Sequence, residues 1–277
     1  MQAASQPNEK APPLTCDSHF HIFGPYDKFP LSPGRGYEPP PALVPDYLRM
    51  AETLGIERMV VVQASVSGTD NGVTLDAVRQ FGVHRARAVV VVDDGFDAAA
   101  LRAMHDQGAR GVRFNLFSGN GTPEDQLDTL ARRLAPLGWH IQVYADGATI
   151  KRMAPILARL PVDVVIDHCG GVMAGLGTDH PQFQALLRLL DTGKAWIKTS
   201  SYRVSSAGRP WDDSRPNVQA LAARAPERCV WGTDWPHPQI EPMPDAAHYL
   251  NQFMAWIPDP ALRQRILVDN PARLYGF

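Results

Sequence analysis

The segment CDSHFHIFGP, residues 16–25, puts His19 and His21 two positions apart, close behind Asp17. In an extended segment residues i and i+2 share one face, so both imidazoles would point the same way. Such a pair can hold a metal ion, orient a substrate, or merely pack. Other polar residues stand at the ends of short apolar runs. They are Ser65 in VVQASVSGTDN, Arg113 and Asn115 in RGVRFN, Tyr144 in GWHIQVY, His168 in VIDHCG, Arg203 in KTSSYR and Asp234 in VWGTDWPHP. An aspartate can take a proton from water, and imidazoles or a metal can stabilise an oxyanion. Arginine's planar fork matches a carboxylate through two parallel hydrogen bonds. These types together suit water attack on an acyl carbon in an anionic substrate.

Meeting at one point requires a fold that gathers residues scattered over more than two hundred positions. Eight apolar runs read as strands: 15–21, 58–63, 86–92, 111–115, 140–144, 162–167, 195–199 and 229–232. Between them lie segments such as VPDYLRMAETLG, NGVTLDAVRQFG and PQFQALLRLLDTG. Their apolar residues recur at three- and four-residue spacing, and several end in Gly, as helix termini do. Near-continuous apolar strands alternating with helices predict a parallel sheet covered on both sides, and eight such units predict a single (β/α)8 TIM barrel. An open doubly wound sheet competes, but no GxGxxG fingerprint follows an early strand. The expected layout is a loose polar arm over residues 1–14 and one barrel over 15–277. PALRQRILVDNPARLYG would be the final helix. The Pro- and Gly-rich stretch 24–42 would lie over the mouth of the barrel, where active residues gather at strand ends.

The bulk properties narrow the function class. The chain has 277 residues, 44% of them hydrophobic and 20% charged, with a net charge of −2. No global field draws it to nucleic acid or to an anionic membrane. Its three cysteines, Cys16, Cys169 and Cys229, are far apart and form no CxxC pattern. That suits a reducing compartment. With no apolar h-region near the start and no membrane-length apolar run, a cytoplasmic location is expected.

The ordered set of His-x-His on strand one, a His after strand six and GTDWPHP after strand eight resembles the amidohydrolase superfamily. Within it, the chain looks closest to 2-pyrone-4,6-dicarboxylate lactonase-like proteins. The resemblance spans strands one to eight. It implies a hydrolase opening a carboxylated lactone, in aromatic or sugar-acid catabolism. By similarity Asp234 matches the general base that activates water. His19, His21 and His168 match residues around the attacked carbonyl. Ser65 and Tyr144 match substrate-binding positions, and Arg113 and Arg203 match carboxylate clamps; Asn115 joins them at the end of strand four. Alternatives on the same site are a lactone isomerase and a zinc-dependent hydrolase or decarboxylase. A carboxylate-binding protein without turnover is a third reading, which the base-plus-histidine set argues against.

Strand four ends without Lys, Glu or Cys, and strand five ends in Tyr144 rather than His, so the usual further metal ligand is missing. Zn²⁺ could still take His19, His21 and Asp234 plus water. An arginine in the same mouth would repel a dication, and the lactonase branch is understood to work without metal. No cofactor is therefore expected, with Zn²⁺ as the alternative. The expected partner is a small carboxylated lactone, with neither nucleic acid nor membrane; a homo-oligomer is compatible. After RFN, the closest lactonases carry further basic residues, whereas this chain reads LFSGNGTPED. Lys28 or Arg35 could supply the second positive charge. His168 beside Cys169 could suggest a thiol dyad, but strand neighbours point to opposite faces, so Cys169 is expected to pack. His237 would shape the loop after Asp234, His140 lies at the non-catalytic end of strand five, and His84, His105 and His180 are expected at the surface.

Overall fold

The computed structural model describes residues 4–117 and 119–277. Eight parallel strands follow one another in sequence order around the sheet. They are β1 (Cys16–Phe20), β2 (Arg58–Val62), β3 (Ala86–Val90), β4 (Ala109–Asn115), β5 (His140–Tyr144), β6 (Val164–Ile166), β7 (Ala195–Lys198) and β8 (Cys229–Val230). Each lies in its expected segment, with ends shifted by two residues or fewer. Val60, Val61, Val62, Val89 and Val90 are all buried, because one strand face fills the barrel and the other meets the helices.

The covering helices are α1 (Val44–Leu54), α2 (Gly72–Phe81), α3 (Ala98–Asp106), α4 (Leu127–Leu134), α5 (Gly147–Leu157) and α6 (Pro181–Asp191). α7 (Arg215–Arg224) and α8 (Ala246–Trp256) complete the ring. Local chemistry sets their ends. Asp97 accepts a hydrogen bond from the Ala100 N–H at the start of α3, and Asp146 does the same for Thr149 in α5. Gly55 closes α1 in the left-handed conformation (φ 79°), which glycine adopts without a Cβ penalty. The final helical run is α9 (Pro260–Gln264), a π turn over Arg265–Asp269, and α10 (Asn270–Tyr275). Pro271 has no N–H to donate to the preceding turn, and the helix widens just before it. Among the described residues no helix is long and apolar enough to cross a membrane.

Residues 1–3 of the expected arm lie outside the described residues. Further along, the Asn8 N–H donates to Asn251 Oδ1 and the Ala11 N–H to Leu54 O. The stretch 24–42 is held at its base by the Phe23–Ala42 bridge.

The seam between first and last strands decides the site. Ser18 N donates to Trp231 O (2.9 Å), Asp234 N to His19 O (2.7 Å) and His21 N to Trp235 O (2.8 Å). Asp17 reinforces it from inside: its carboxylate accepts from Thr233 N (2.9 Å), Thr233 Oγ1 (2.6 Å) and Tyr47 Oη (3.1 Å). The two chain ends approach so closely that a Cβ on Gly232 would lie 2.6 Å from His19 N and 2.8 Å from His19 Cβ. Gly232→Ala should therefore force the seam apart, costing about 2 kcal/mol by overpacking and most of the turnover. Thermal melting and initial rates check it; an unchanged melting temperature with normal turnover would show that the seam tolerates a methyl group.

Candidate active site

Two of the candidate residues sit on strained backbone. β6 ends at Ile166, and His168, Cys169, Gly170 and Gly171 all have positive φ. This left-handed turn passes so near the end of β5 that a Cβ on Gly171 would lie 2.1 Å from Ala145 O. His168 is thus aimed by a tight turn, not by strand alternation. Cys169 is separated from chemistry for the same reason: it is buried against the core, and desolvation raises its thiol to about 12. Asp234 also has positive φ, 57°. Such conformations cost of order 1–3 kcal/mol and persist where surrounding contacts enforce them. For Asp234 the enforcing contacts are the seam hydrogen bonds.

The mouth of the barrel holds a cavity of about 300 Å³, lined by His21, Ser65, Arg113, Asn115, Tyr144, His168, Arg203 and Asp234 among others. His19 is not in the lining; it lies fully buried just beneath, its ring 4.8 Å from that of His168. Asp234 organises the floor. Its Oδ2 accepts from Tyr202 Oη (2.5 Å) and Arg203 Nε (2.5 Å). Its Oδ1 lies 3.3 Å from His21 Nε2 and 3.7 Å from His19 Nε2, and makes no hydrogen bond among the described residues. Burial alone would raise its pKa, but the Arg203 guanidinium and His168 hold the carboxyl well below the usual range, so it is ionised. His168 Nε2 stands 3.9 Å from Asp234 Oδ2, and desolvation lowers this imidazole to about 4. It is therefore neutral near pH 7.

His21 Nδ1 faces Val62 O at 2.7 Å. A carbonyl only accepts, so Nδ1 carries a proton, and Nε2 is the ring atom that faces Asp234 Oδ1 at 3.3 Å. His21 Nε2 and Asp234 Oδ1 thus converge on one point. A water molecule placed there can donate to the carboxylate while its own lone pair stays free.

A small cation is the other occupant that such a point suits. The donor atoms of His19, His21 and Asp234 all lie within 4.8 Å of one another, which fits one dication by spacing. These three would hold it, and it would polarise a carbonyl or acidify water. The charges around them oppose it: Arg203 is already on Asp234, and Lys198 Nζ is 3.2 Å from His19 Nδ1. A second grouping, His19, Asp167 and His168, is similarly spaced. There Asp167 is paired with Arg113 (3.3 Å) and Lys198 (3.5 Å).

The two arginines reach the cavity from different strand ends. Arg113 Nε donates to Asp167 and its Nη1 to Gln63 O, while its guanidinium carbon lies 5.3 Å from the Tyr144 ring centre. Arg203 adds a bond from Nη2 to Pro238 O. Lys28 and Arg35 do not supply a further charge to the cavity. Lys28 pairs with Asp76 at 3.3 Å, and Arg35 with Glu38; each is nearer a carboxylate of its own loop or adjacent helix than the strand ends. His237 is buried in the loop after Asp234, its ring 4.9 Å from Tyr249. His84 is exposed, and His105 and His180 are half-buried.

Several residues escape the reading of strand ends. Tyr37, Phe117 and Gln239 come from loops to line the cavity, and nothing in their local sequence marks them. Tyr202 neighbours Arg203 and binds the same carboxylate. Gln142 donates to Asp167 Oδ2 and accepts from Lys198; it lies two residues before Tyr144, so strand alternation would have found it.

Comparison with known proteins gives a consistent picture. A family model described as Amidohydrolase matches residues 16–277. A 2-pyrone-4,6-dicarboxylate hydrolase of Comamonas testosteroni is 36% identical, covering 98% of this chain and 93% of its own. A 4-sulfomuconolactone hydrolase of Rhizobium radiobacter is 38% identical over 94% of this chain and 89% of its own. A D-galactarolactone isomerase of Agrobacterium fabrum is 33% identical over 99% and 94%.

All three cysteines are free and buried, with thiols pushed up by desolvation. Thiolate, not thiol, is the reactive form. Excess iodoacetamide at pH 8 should leave the folded protein fully active and unalkylated by mass spectrometry; rapid inactivation with one label on Cys169 would restore the dyad.

Proposed function

This chain belongs to the amidohydrolase family, and from that premise we propose that it is a hydrolase that opens the ring of a carboxylated lactone. The observation that carries the reading is the convergence of Asp234 Oδ1 and His21 Nε2, 3.3 Å apart, beneath a cavity that also presents Arg113 and Arg203. Its named relatives, two lactone hydrolases and a lactone isomerase, support it.

In this reading a water molecule beside His21 Nε2 donates to Asp234 Oδ1. Its oxygen attacks the ring carbonyl carbon while its proton passes to Asp234. The developing oxyanion is met by hydrogen-bond donors from the histidines around it. Collapse breaks the ring C–O bond, and Asp234 returns the proton to the leaving oxygen, giving a hydroxyl group and a carboxylic acid, which loses the second water proton to solvent and becomes a carboxylate. Oδ2 keeps its bonds to Tyr202 and Arg203 throughout, so the working oxygen stays aimed. Arg113, stacked near Tyr144, and Arg203 fix the substrate's carboxylate, and Ser65 and Asn115 supply neutral polar contacts from the rim. A cavity of about 300 Å³ suits a single-ring compound.

We assign metal-free chemistry because Arg203 and Lys198 already provide the positive charge that a dication would bring to Asp234 and His19. A cytoplasmic location in aromatic or sugar-acid catabolism completes the proposal, and three free thiols without a disulfide suit it. The 33% identical isomerase favours a second reading, acyl transfer within the substrate in place of transfer to water.

A screen of carboxylated lactones in H₂¹⁸O separates the two. Hydrolysis puts one ¹⁸O atom into the product carboxylate; intramolecular transfer puts in none. Asp234→Asn should lower kcat at least about 10³-fold while ligand binding persists, and near-normal kcat would remove Asp234 as base. Turnover should also survive dialysis against EDTA. Full loss restored by Zn²⁺ would move the chemistry to a metal on His19, His21 and Asp234.

A further inference from the structure

Beneath the cavity, a row of fully buried polar groups crosses the barrel and touches no substrate. Lys198 on β7 has no exposed surface at all. Its Nζ lies 2.8 Å from Gln142 Oε1, 3.2 Å from His19 Nδ1 and 3.5 Å from Asp167 Oδ1. Gln142 is itself oriented, because its Nε2 donates to Asp167 Oδ2 at 3.0 Å. Its carbonyl oxygen must therefore face Lys198. Asp167 Oδ2 also receives Arg113 Nε.

His19 Nδ1 thus stands between two groups that demand opposite protonation. Lys198 is a donor and needs a lone pair on Nδ1. Asp167 Oδ1, 3.3 Å away, is an acceptor and would need a proton there. Lys198 can settle the conflict: an ammonium only donates, and its Nζ lies 3.2 Å from Nδ1 and 3.5 Å from Asp167 Oδ1, so it can meet both the imidazole lone pair and the carboxylate, whereas a proton on Nδ1 would face the ammonium. A neutral imidazole that accepts at Nδ1 carries its proton on Nε2. His19 Nε2 has no hydrogen-bond partner among the described residues, and it lies 3.7 Å from Asp234 Oδ1. There an N–H is useful, since Asp234 Oδ1 is an acceptor and a developing oxyanion beside it needs a donor.

We propose that Lys198 is a positioning residue: by donating to His19 Nδ1 it fixes the ring's proton on Nε2, making His19 a hydrogen-bond donor to the reacting oxygen beside Asp234. The inference rests on the lactone-opening reading of the site. Gln142 and Asp167 serve it by holding Lys198 on His19, and Arg113 ties the same carboxylate to the cavity wall.

The tautomer is directly measurable. In ¹⁵N-labelled wild-type protein of assayed metal content, imidazole ¹⁵N shifts should place the His19 proton on Nε2. A proton on Nδ1, or on both nitrogens, overturns the proposal. Lys198→Met keeps the packing and removes the donor, leaving Asp167 as the neighbour that can direct the ring. The proton should then move to Nδ1, and kcat should fall about 10²–10³-fold, the usual loss for one oxyanion donor, with KM changed less than about threefold. An unmoved proton, or a raised KM with unchanged kcat, overturns it as well. Should the variant fail to fold, the wild-type spectrum still decides. Failure of the underlying reading looks different: wild-type protein would open no lactone, whatever the His19 tautomer.

Discussion

One backbone hydrogen bond, from Asp234 N to His19 O at 2.7 Å, brings together residues more than two hundred positions apart. A barrel has no free edge, so its last strand must return to its first. In this chain the return falls where the chemistry is. Gly232 allows the approach because it has no Cβ, Thr233 is fastened to Asp17, and Asp234 is then pinned beside both imidazoles with positive φ. Closing the barrel and assembling the site are one event. The distances between Asp234 and the two imidazoles of β1 inherit their values from that seam.

The interior above the seam is unusually charged for a protein core. Asp17, Asp167, Asp234, Lys198 and Arg113 are all buried, with Arg203 half-buried beside them. Desolvating such groups costs several kcal/mol each, and a hydrophobic filling of equal volume would give a more stable barrel. Each carboxylate is nevertheless met: Asp17 by hydroxyls and N–H groups, Asp167 by Arg113 and Gln142, Asp234 by Arg203 and Tyr202. Among the described residues the buried side-chain atoms without a partner include Asp234 Oδ1, His19 Nε2, His168 Nδ1 and Asp167 Oδ1, and also His140 Nε2, both ring nitrogens of His237 and the hydroxyls of Tyr249 and Tyr275. Polar atoms with no partner are tolerated where a ligand or water completes them. Those around Asp234 border the cavity, where a ligand or water can reach them.

The sequence made the strands legible because most are short, near-continuous apolar runs, and it made the floor legible because β1 and the segments after β6 and β8 carry polar side chains inside or beside such runs. His19, His21, His168 and Asp234 stand out for that reason. α7 does not, since RPNVQALAAR shows little apolar periodicity; nor does the π turn before Pro271, which depends on a missing N–H and not on a hydrophobic pattern. Lys28 and Arg35 looked available because a sequence shows charges without their neighbours, and Asp76 and Glu38 are what they meet. Tyr37 and Gln239 were invisible because loop conformation follows from tertiary contacts that no local pattern encodes.

That division between strands and loops has a functional meaning. In the proposed reaction the floor acts on a carbonyl carbon, which every lactone possesses, so its geometry must be fixed, and it is built on the rigid barrel. The roof meets whatever the ring carries. It is made of Tyr37 and Gly36 from the loop after β1, Phe117 from the loop after β4, and Pro238 and Gln239 from the loop after β8. Phe117 is 59% exposed and stacks on Tyr144 with ring centres 4.9 Å apart, so an apolar plane, not a cation, flanks Arg113 on that side. Arg113 and Arg203 are the cationic side chains among the residues lining this cavity. In that reading an anionic group between them would be held by charge, and the rest of the ring would meet aromatic surface and neutral hydrogen-bonding groups. On the proposed reading, substrate choice resides in side chains whose loops can change without disturbing the seam, while the attack on the carbonyl resides in side chains anchored at or beside it.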